Sequence, residues 1–107
     1  MRVRWSVEAE QTWQESLVYC IVNYGEHFGK KLSTILTKKI LILSTYPESG
    51  NPMPLLSTED FNYRSIVLYK EYKIIYRIDY QNNMIIIIDI VNMRIDYDNI
   101  RKRVSGK

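Results

Sequence analysis

The hydrophobic and polar positions of the chain change from a helical period to a strand period about halfway along. Between Trp13 and Tyr24 the apolar residues recur every three or four positions, and this spacing resumes from Phe28 to Leu43. Such a period is typical of amphipathic α-helices. From Tyr63 onward, apolar and polar residues alternate in runs rich in Ile, Val and Tyr, which predicts β-strands. The sequence therefore predicts helices first and a sheet afterwards.

The first half of the chain predicts one short strand and two helices. Residues 2–5 alternate between basic and apolar side chains, which predicts a short opening strand. Ser6 is a natural N-cap for the first helix, because its hydroxyl can accept a hydrogen bond from a free backbone N–H. Gly25 separates the two helices, and the proline and glycine within 46–50 end the second one. We expect an irregular connection over 51–62.

The second half predicts an antiparallel meander, because three β-type runs follow one another across short breaks at 70–71 and 81–83. In the middle run one face carries Tyr72, Ile74, Tyr76 and Ile78, and the other carries Lys73, Ile75, Arg77 and Asp79. In the last run the purely apolar face carries Ile86, Ile88 and Ile90, opposite Ile85, Ile87 and Asp89. We expect the apolar faces to pack against the helices and the charged faces to remain open.

These elements predict an α+β fold. It is a two-layer β-α-α-β-β-β domain with a helical hairpin packed on one face of a mainly antiparallel sheet. With 107 residues, of which 46% are hydrophobic and 25% charged, the chain is predicted to be a single domain over 1–107.

Targeting signals and disulfides are not expected. No apolar run approaches the roughly 20 residues that cross a bilayer, and no signal segment opens the chain. The single cysteine, Cys20, excludes an internal disulfide and fits a reducing compartment. We therefore predict a cytoplasmic protein without membrane partners.

Positive charge is concentrated at the C-terminal end of the chain. The net charge is +3, and the basic tail at about 99–107 contains Arg101, Lys102, Arg103 and Lys107. Two interpretations remain open for this tail: a solvated terminus, or a contact with nucleic acid or an acidic partner protein.

Metal and cofactor chemistry is not predicted. His27 is the single histidine, and no group of Cys, His, Asp and Glu has the spacing of metal ligands. The glycines are scattered, so no glycine-rich loop could hold a nucleotide phosphate.

The main chemical signal is a set of cations within or just after apolar strands. They are Arg64, Lys73, Arg77 and Arg94, with Tyr97 close behind. Arginine binds phosphate oxygens and tyrosine stacks on unpaired bases, so this set suits an RNA phosphodiester. RNA cleavage by its own 2′-hydroxyl needs cations near phosphorus and a group that assists proton transfer, for which lysine can serve.

A structural role is the alternative for some of these residues. Asp79 and Asp89 share the parity of Lys73 and Arg77, and cross-strand ion pairs would satisfy all four. The pattern favours pairing for Arg77 with Asp89 and a functional role for the cations at strand ends.

The chain resembles toxins of the RelE/ParE superfamily, which are the toxic halves of type II toxin–antitoxin pairs and are also called plasmid stabilisation proteins. The resemblance covers nearly the whole chain. It is carried by Trp5-Ser-Val-Glu-Ala9, Gly25 and Gly29, Leu43-Ser-Thr-Tyr-Pro-Glu-Ser-Gly50, Tyr63-Arg64, Glu71-Tyr-Lys-Ile-Ile-Tyr-Arg-Ile-Asp79 and Asn92-Met-Arg94. It implies a microbial ribonuclease-like fold, in agreement with the element order above.

The resemblance also implies a site. RelE-like members cut messenger RNA on the ribosome with basic residues of the sheet and a tyrosine after the last strand. The matching positions are Arg64, Lys73, Arg94 and Tyr97, which we take as the candidate catalytic set. Arg64 and Arg94 would hold the phosphate, Lys73 would accept a proton or stabilise charge, and Tyr97 would stack on a base. Ile66 departs from this pattern, since a further lysine often stands there.

We therefore predict a growth-arresting toxin that inhibits translation by ribosome-dependent mRNA cleavage, as a metal-independent endoribonuclease. Its predicted partners are a cognate antitoxin, the ribosome and mRNA. One alternative is a ParE-like inhibitor of DNA gyrase, since that branch lacks a working nuclease set. The other is an attenuated member that mainly binds its antitoxin.

Overall fold

Two α-helices pack on one face of a five-stranded sheet in the computed structural model, which describes residues 1–70 and 72–92. The elements are β1 (Arg2–Trp5), α1 (Val7–Tyr24), α2 (Glu26–Thr45), a 3₁₀ turn (Pro47–Ser49), β2 (Asn51–Pro52), β3 (Tyr63–Tyr69), β4 (Tyr72–Asp79) and β5 (Met84–Asn92). The strand order is β1-β5-β4-β3-β2, with β1 parallel to β5 and the other neighbours antiparallel. The predicted α+β class and element order are confirmed.

The predicted helix boundaries of α1 are confirmed by its capping groups. The Ser6 hydroxyl accepts a hydrogen bond from the Ala9 N–H at 3.0 Å, and it donates one to the Ile88 carbonyl at 3.1 Å. Ser6 therefore caps α1 and also fixes the start of this helix against β5. Gly25 has a φ of 94°, a conformation that side chains rarely adopt, and its N–H donates to the Ile21 carbonyl at 2.8 Å.

The two helices approach each other closely at Gly29. A Cβ at this position would lie 2.6 Å from Cγ1 of Ile21 on α1, which is closer than real Cβ atoms come. The hairpin therefore packs as tightly as it does because position 29 has no side chain.

The largest hydrophobic cluster lies between the hairpin and the sheet, and we call it the helix-side core. Its buried members are Ala9, Cys20, Leu32, Leu36, Leu43, Leu68, Ile74, Tyr76, Ile85, Ile87 and Ile90. Tyr72 and Ile78 pack against this cluster while half-buried. The predicted inward face of β4 is therefore confirmed. No helix within 1–70 and 72–92 is long and apolar enough to cross a membrane.

The predicted inward face of β5 is wrong for Ile86 and Ile88. Ile85 and Ile87 contact the helix-side core instead, and only after a register shift does Ile90 point the same way. The shift arises because Ile75 pairs with Asp89 while the next residue of β4 pairs with Ile87. Ile88 is thus an extra residue in a β-bulge, and a bulge reverses which side chains face the core.

A second, smaller cluster covers the middle of the opposite face of the sheet, which we call the loop-side face. Its buried members are Met53, Leu56, Tyr63, Ile75, Ile88 and Val91. Met53 and Leu56 come from the irregular connection, which hydrogen bonds hold against β3. The Met53 N–H donates to the Tyr63 carbonyl at 2.9 Å, and the Tyr63 N–H donates to the Ser57 hydroxyl at 3.1 Å. The face predicted to be open is therefore covered at its centre.

Candidate functional site

Arg64 belongs to the helix side of the sheet, where it holds the 3₁₀ turn. It lies directly opposite Tyr76 in the register of β3 and β4, so both side chains share one face. Its Nη1 donates to the carbonyl oxygens of Glu48 at 3.2 Å and Gly50 at 2.9 Å. Charge-assisted bonds to two carbonyls hold this guanidinium in the turn.

Two tyrosines bind the same turn. The Tyr76 hydroxyl donates to the Pro47 carbonyl at 2.7 Å and accepts from the Gly50 N–H at 2.9 Å. Burial raises the pKa of Tyr76, so its hydroxyl stays neutral and able to donate. The Tyr80 hydroxyl donates to Glu48 Oε1 at 2.6 Å, and this hydrogen bond raises the pKa of Tyr80.

We call Arg64, Tyr76, Tyr80 and the 3₁₀ turn with Gly50 the turn clasp. A Cβ at Gly50 would lie 2.5 Å from the Tyr76 hydroxyl oxygen, so the clasp requires glycine there. Its function in the fold is to join the end of the hairpin to the middle of the sheet.

Lys73 lies on the loop-side face, opposite the face that carries Arg64. It has the parity of Ile75, which belongs to the loop-side cluster, and it pairs with Val67 on β3 and Val91 on β5. Its side chain is half-buried. Of the four predicted catalytic residues, the two that the structure describes are therefore not brought together. Arg94 and Tyr97 lie outside the described residues.

Arg77 is also on the loop-side face, where its guanidinium carbon lies 4.5 Å from the centroid of the Phe61 ring. The register places Arg77 opposite Ile86, and it places Asp89 opposite Ile75. Asp89 is fully buried, and its Oδ1 accepts from the Ile90 N–H at 2.9 Å. Arg77 and Asp89 are therefore not directly opposed across the strands, contrary to what their shared parity suggested, because the β-bulge shifts the register between them.

A cavity of about 500 Å³ lies where β3 begins and β4 ends. It is lined by Asp60, Phe61, Asn62, Arg64, Arg77, Ile78, Asp79, Tyr80 and Gln81. The Asp79 carboxylate accepts from the backbone N–H and the side-chain amide of Asn82 at 3.1 and 2.8 Å, which lowers its pKa. The sequence did not indicate this cavity, because the folded connection that carries Phe61 builds one of its walls.

Two further cations on the loop side were not among the candidate residues. Val3 and Trp5 of β1 pack against the helix-side core, so Arg2 and Arg4 point to the loop side, where both are exposed. The alternation of residues 2–5 predicts this parity. It does not predict that β1 lies beside β5, which brings its arginines near β4.

The described residues do not suggest a metal site or a reactive thiol. Within 1–70 and 72–92, no three residues among His, Cys, Asp and Glu lie close enough to hold a metal ion. Cys20 is buried in the helix-side core beside the Tyr72 hydroxyl, and burial raises the pKa of its thiol.

Two of three comparisons with known proteins found a match. A family model described as "ParE toxin of type II toxin-antitoxin system, parDE" matches residues 3–97. Among solved structures, a "Chromosomal ParDE TA system from P. aeruginosa" resembles the chain with a TM-score of 0.67 and 17% sequence identity. The match covers 86% of this chain and 95% of that one, and at this identity it shows a common fold. Curated proteins give no match.

Proposed function

The chain belongs to the ParE toxin family of type II toxin–antitoxin systems, and we propose from this that it arrests growth by binding DNA gyrase. The resemblance to the ParE branch suggests the target. One observation of the molecule supports the choice over mRNA cleavage: Arg64 and Lys73 lie on opposite faces of the sheet.

Cleavage of an RNA phosphodiester requires cations and a proton-transfer group to converge on one phosphate. Arg64 donates to two carbonyls of the turn clasp, and these bonds would have to break before it could reach a phosphate. Lys73 is separated from it by the thickness of the sheet. A toxin that acts through a protein contact does not need these groups to converge.

A supercoiling assay with purified gyrase tests this proposal. We expect the purified protein to inhibit supercoiling, and induced cells to lose supercoiling without new mRNA ends. New mRNA 5′ ends on translating ribosomes, with normal supercoiling, would contradict the proposal and support mRNA cleavage through Arg94 and Tyr97.

The variant Lys73→Gln gives a second test, because it removes a charge that the nuclease mechanism needs. We expect growth arrest to be retained, since the half-buried side chain has no assigned part in a gyrase contact. Circular dichroism controls for folding. A folded Lys73→Gln protein that still inhibits purified gyrase but no longer arrests growth would contradict the gyrase proposal and support catalysis by Lys73.

A cognate antitoxin is the proposed partner, and the outer face of the hairpin is its proposed docking surface. Val18 and Val22, one turn apart on α1, are 60% and 77% exposed. Beside them runs a groove of about 580 Å³ between the helices, lined by Leu17, Ile21, Glu26, Lys30, Ser33 and Thr34. The lysine pairs 30–31 and 38–39 make α2 basic, so an acidic amphipathic helix is the complementary ligand.

Val7 provides a matched control for this surface, because it is 76% exposed on the same helix but lies at its other end. We expect Val18→Gln/Val22→Gln to escape neutralisation by the product of a small reading frame beside the gene, while growth arrest is retained. Val7→Gln should remain neutralised. Glutamine has a higher helix propensity than valine, so α1 should stay folded in both. Equal neutralisation of the two variants would exclude this docking surface.

A further inference from the structure

The arginines of β1 form a charged surface together with residues of β4. Arg4 pairs with Ile86 of β5, and Ile86 pairs with Arg77 of β4, so these three residues form one row across the sheet. Neighbouring strands are about 4.8 Å apart, which puts the Cα atoms of Arg4 and Arg77 about 10 Å apart. Arg2 lies two residues, or about 7 Å, further along β1 on the same side.

The same face continues toward the other end of β4. Lys73 is four residues from Arg77 on this strand, which corresponds to about 13 Å along the sheet. The loop-side face of β1, β5 and β4 thus presents the four cations Arg2, Arg4, Lys73 and Arg77 over an area that is wider than a single binding cleft. We call this set the loop-side basic surface.

Fewer acidic groups than cations lie near this surface. Asp89 is fully buried under it. Asp79 is opposite Met84 at the end of β4, and its two oxygens accept hydrogen bonds from Asn82 in the following turn. The charge of Arg77 also lowers the pKa of Asp79, so this carboxylate offsets part of the positive charge at that end of the surface. Asp60 lines the cavity that Arg77 also lines. Within the described residues, the exposed part of the surface therefore keeps an excess of positive charge.

The guanidinium of Arg77 is preorganised by its contact with Phe61. The ring lies under the guanidinium at 4.5 Å, so less side-chain entropy is lost when a ligand binds. A planar, oriented guanidinium suits the oxygens of a phosphate group.

We propose that the loop-side basic surface binds the phosphate backbone of duplex DNA. The β5 side chains between the arginines of β1 and the end of β4 are the aliphatic Ile86 and Met84, which cannot serve as stacking platforms for unpaired bases. Between Arg77 and Lys73 lies the covered loop-side cluster, which offers no exposed ring for stacking either. Phe61 has the Arg77 guanidinium on its ring. Backbone contacts need only cations spread over a surface, and duplex DNA offers closely spaced phosphates on both strands. This binding does not depend on gyrase being the target.

Fluorescence anisotropy with the full chain and a labelled 20-base-pair duplex at several salt concentrations tests the proposal. The logarithm of the association constant falls linearly with the logarithm of the salt concentration. If each of the four cations contacts a phosphate, together they should make this slope steeper by about 3.6. We expect Arg2→Gln/Arg4→Gln to make the measured slope shallower by about 1.8. The basic tail is identical in all proteins compared, so differences between them report the sheet face.

Lys30→Gln/Lys38→Gln is the matched control, since it removes the same charge from two exposed positions of α2. We expect its slope to equal that of the parent. Equal loss in both double variants would mean that net charge alone drives binding, which overturns the proposal. Tighter binding to a single-stranded RNA of the same sequence than to the duplex would also overturn it.

Arg77 allows a test that separates charge from folding. Arg77→Lys keeps the charge and should keep the slope, whereas Arg77→Gln should make it shallower by about 0.9. Near-ultraviolet circular dichroism monitors the packing of the aromatic side chains, and so the fold, in both variants. Two folded proteins with the same slope would exclude Arg77 from the surface. Because gyrase is absent from these measurements, they can fail or succeed independently of the supercoiling assay.

Discussion

The helix side and the loop side of the sheet are covered in different ways, although the same three strands supply residues to both. On the helix side, two long helices bury an extended hydrophobic cluster. On the loop side, Met53 and Leu56 from an irregular connection cover only the centre. Cations lie around the margins of that cover, at Arg77, Lys73 and the arginines of β1. The hairpin covers its face of the sheet fully and stabilises the fold, whereas the connection covers its face only in part and leaves cations available for binding.

Arg64 shows that this division is not simply one of charge. It is a cation on the well-covered side, and there its hydrogen bonds hold a turn in place. Position relative to the cover, more than residue type, therefore separates the structural cation Arg64 from the cations of the proposed loop-side basic surface.

Truncating one leucine on each side should give the largest difference between the two faces. Leu43 is fully buried between helix and sheet, and Leu43→Ala should lower the free energy of unfolding by about 4 kcal/mol. Leu56 is nearly as buried, but its loop can relax into the space, so Leu56→Ala should cost about 2 kcal/mol. Urea denaturation measures both. Equal losses would mean that the loop is as rigid a cover as the hairpin.

Overpacking the hairpin should have the next largest effect. Gly29→Ala forces a methyl group against Ile21, and we expect a loss of about 2 kcal/mol in unfolding free energy. The double variant Gly29→Ala/Ile21→Ala should recover part of this loss relative to the sum of the single changes. Strict additivity would show that the contact with Ile21 is not what excludes a side chain at position 29.

The turn clasp contains a buried and an exposed tyrosine that can be compared directly. Tyr76→Phe leaves the Gly50 N–H and the Pro47 carbonyl without this partner in a buried setting, and should cost about 1.5 kcal/mol. Tyr80→Phe removes one exposed bond to Glu48 and should change the unfolding free energy little. Thermal or urea unfolding of the two variants tests this order, and a reversed order would contradict the buried role of Tyr76.

The smallest effect is expected at the margin of the loop side, where Asn82 lowers the pKa of Asp79 below its ordinary value of 3.8. Asn82→Ala should therefore raise this pKa, as a carbon-13 NMR titration of the carboxyl group would show. A carboxylate whose pKa is lower in the folded state than in the unfolded state stabilises the protein at pH values above its unfolded-state pKa. This contribution is lost as pH falls through the folded-state pKa. The parent and variant should then differ most above about pH 4 and converge in stronger acid. An unchanged pKa would mean that other groups hold the carboxylate.

The parts of the fold that depend on local sequence could be predicted. Ser6 as a helix cap, Gly25 as the junction of the hairpin and the alternation of β4 each depend on residues within a few positions. Cap chemistry, positive φ and strand periodicity act over that range, so the sequence indicates them directly.

The parts that depend on distant residues could not be predicted. Arg64 donates to carbonyls 14 and 16 positions away, and no local pattern marks those acceptors. The bulge at Ile88 reverses which side chains of β5 face the helices, and no glycine or proline in the sequence marks its position. Lys73, which precedes the register shift on its strand, therefore lies on the face that the alternation of β4 predicts. Arg64, grouped with it in the candidate catalytic set, lies on the other face.

The parallel pairing of the first strand with the last has a consequence for the timing of synthesis. Ser6 bonds to Ile88, 82 residues away, and β1 finds its neighbour only when β5 has been made. A nascent chain that has been synthesised as far as β4 contains the helical hairpin and part of the meander. It still lacks β5, the strand with which β1 pairs. Contacts of such long range form late in folding. A toxin built in this way can complete its sheet only after β5 has been synthesised.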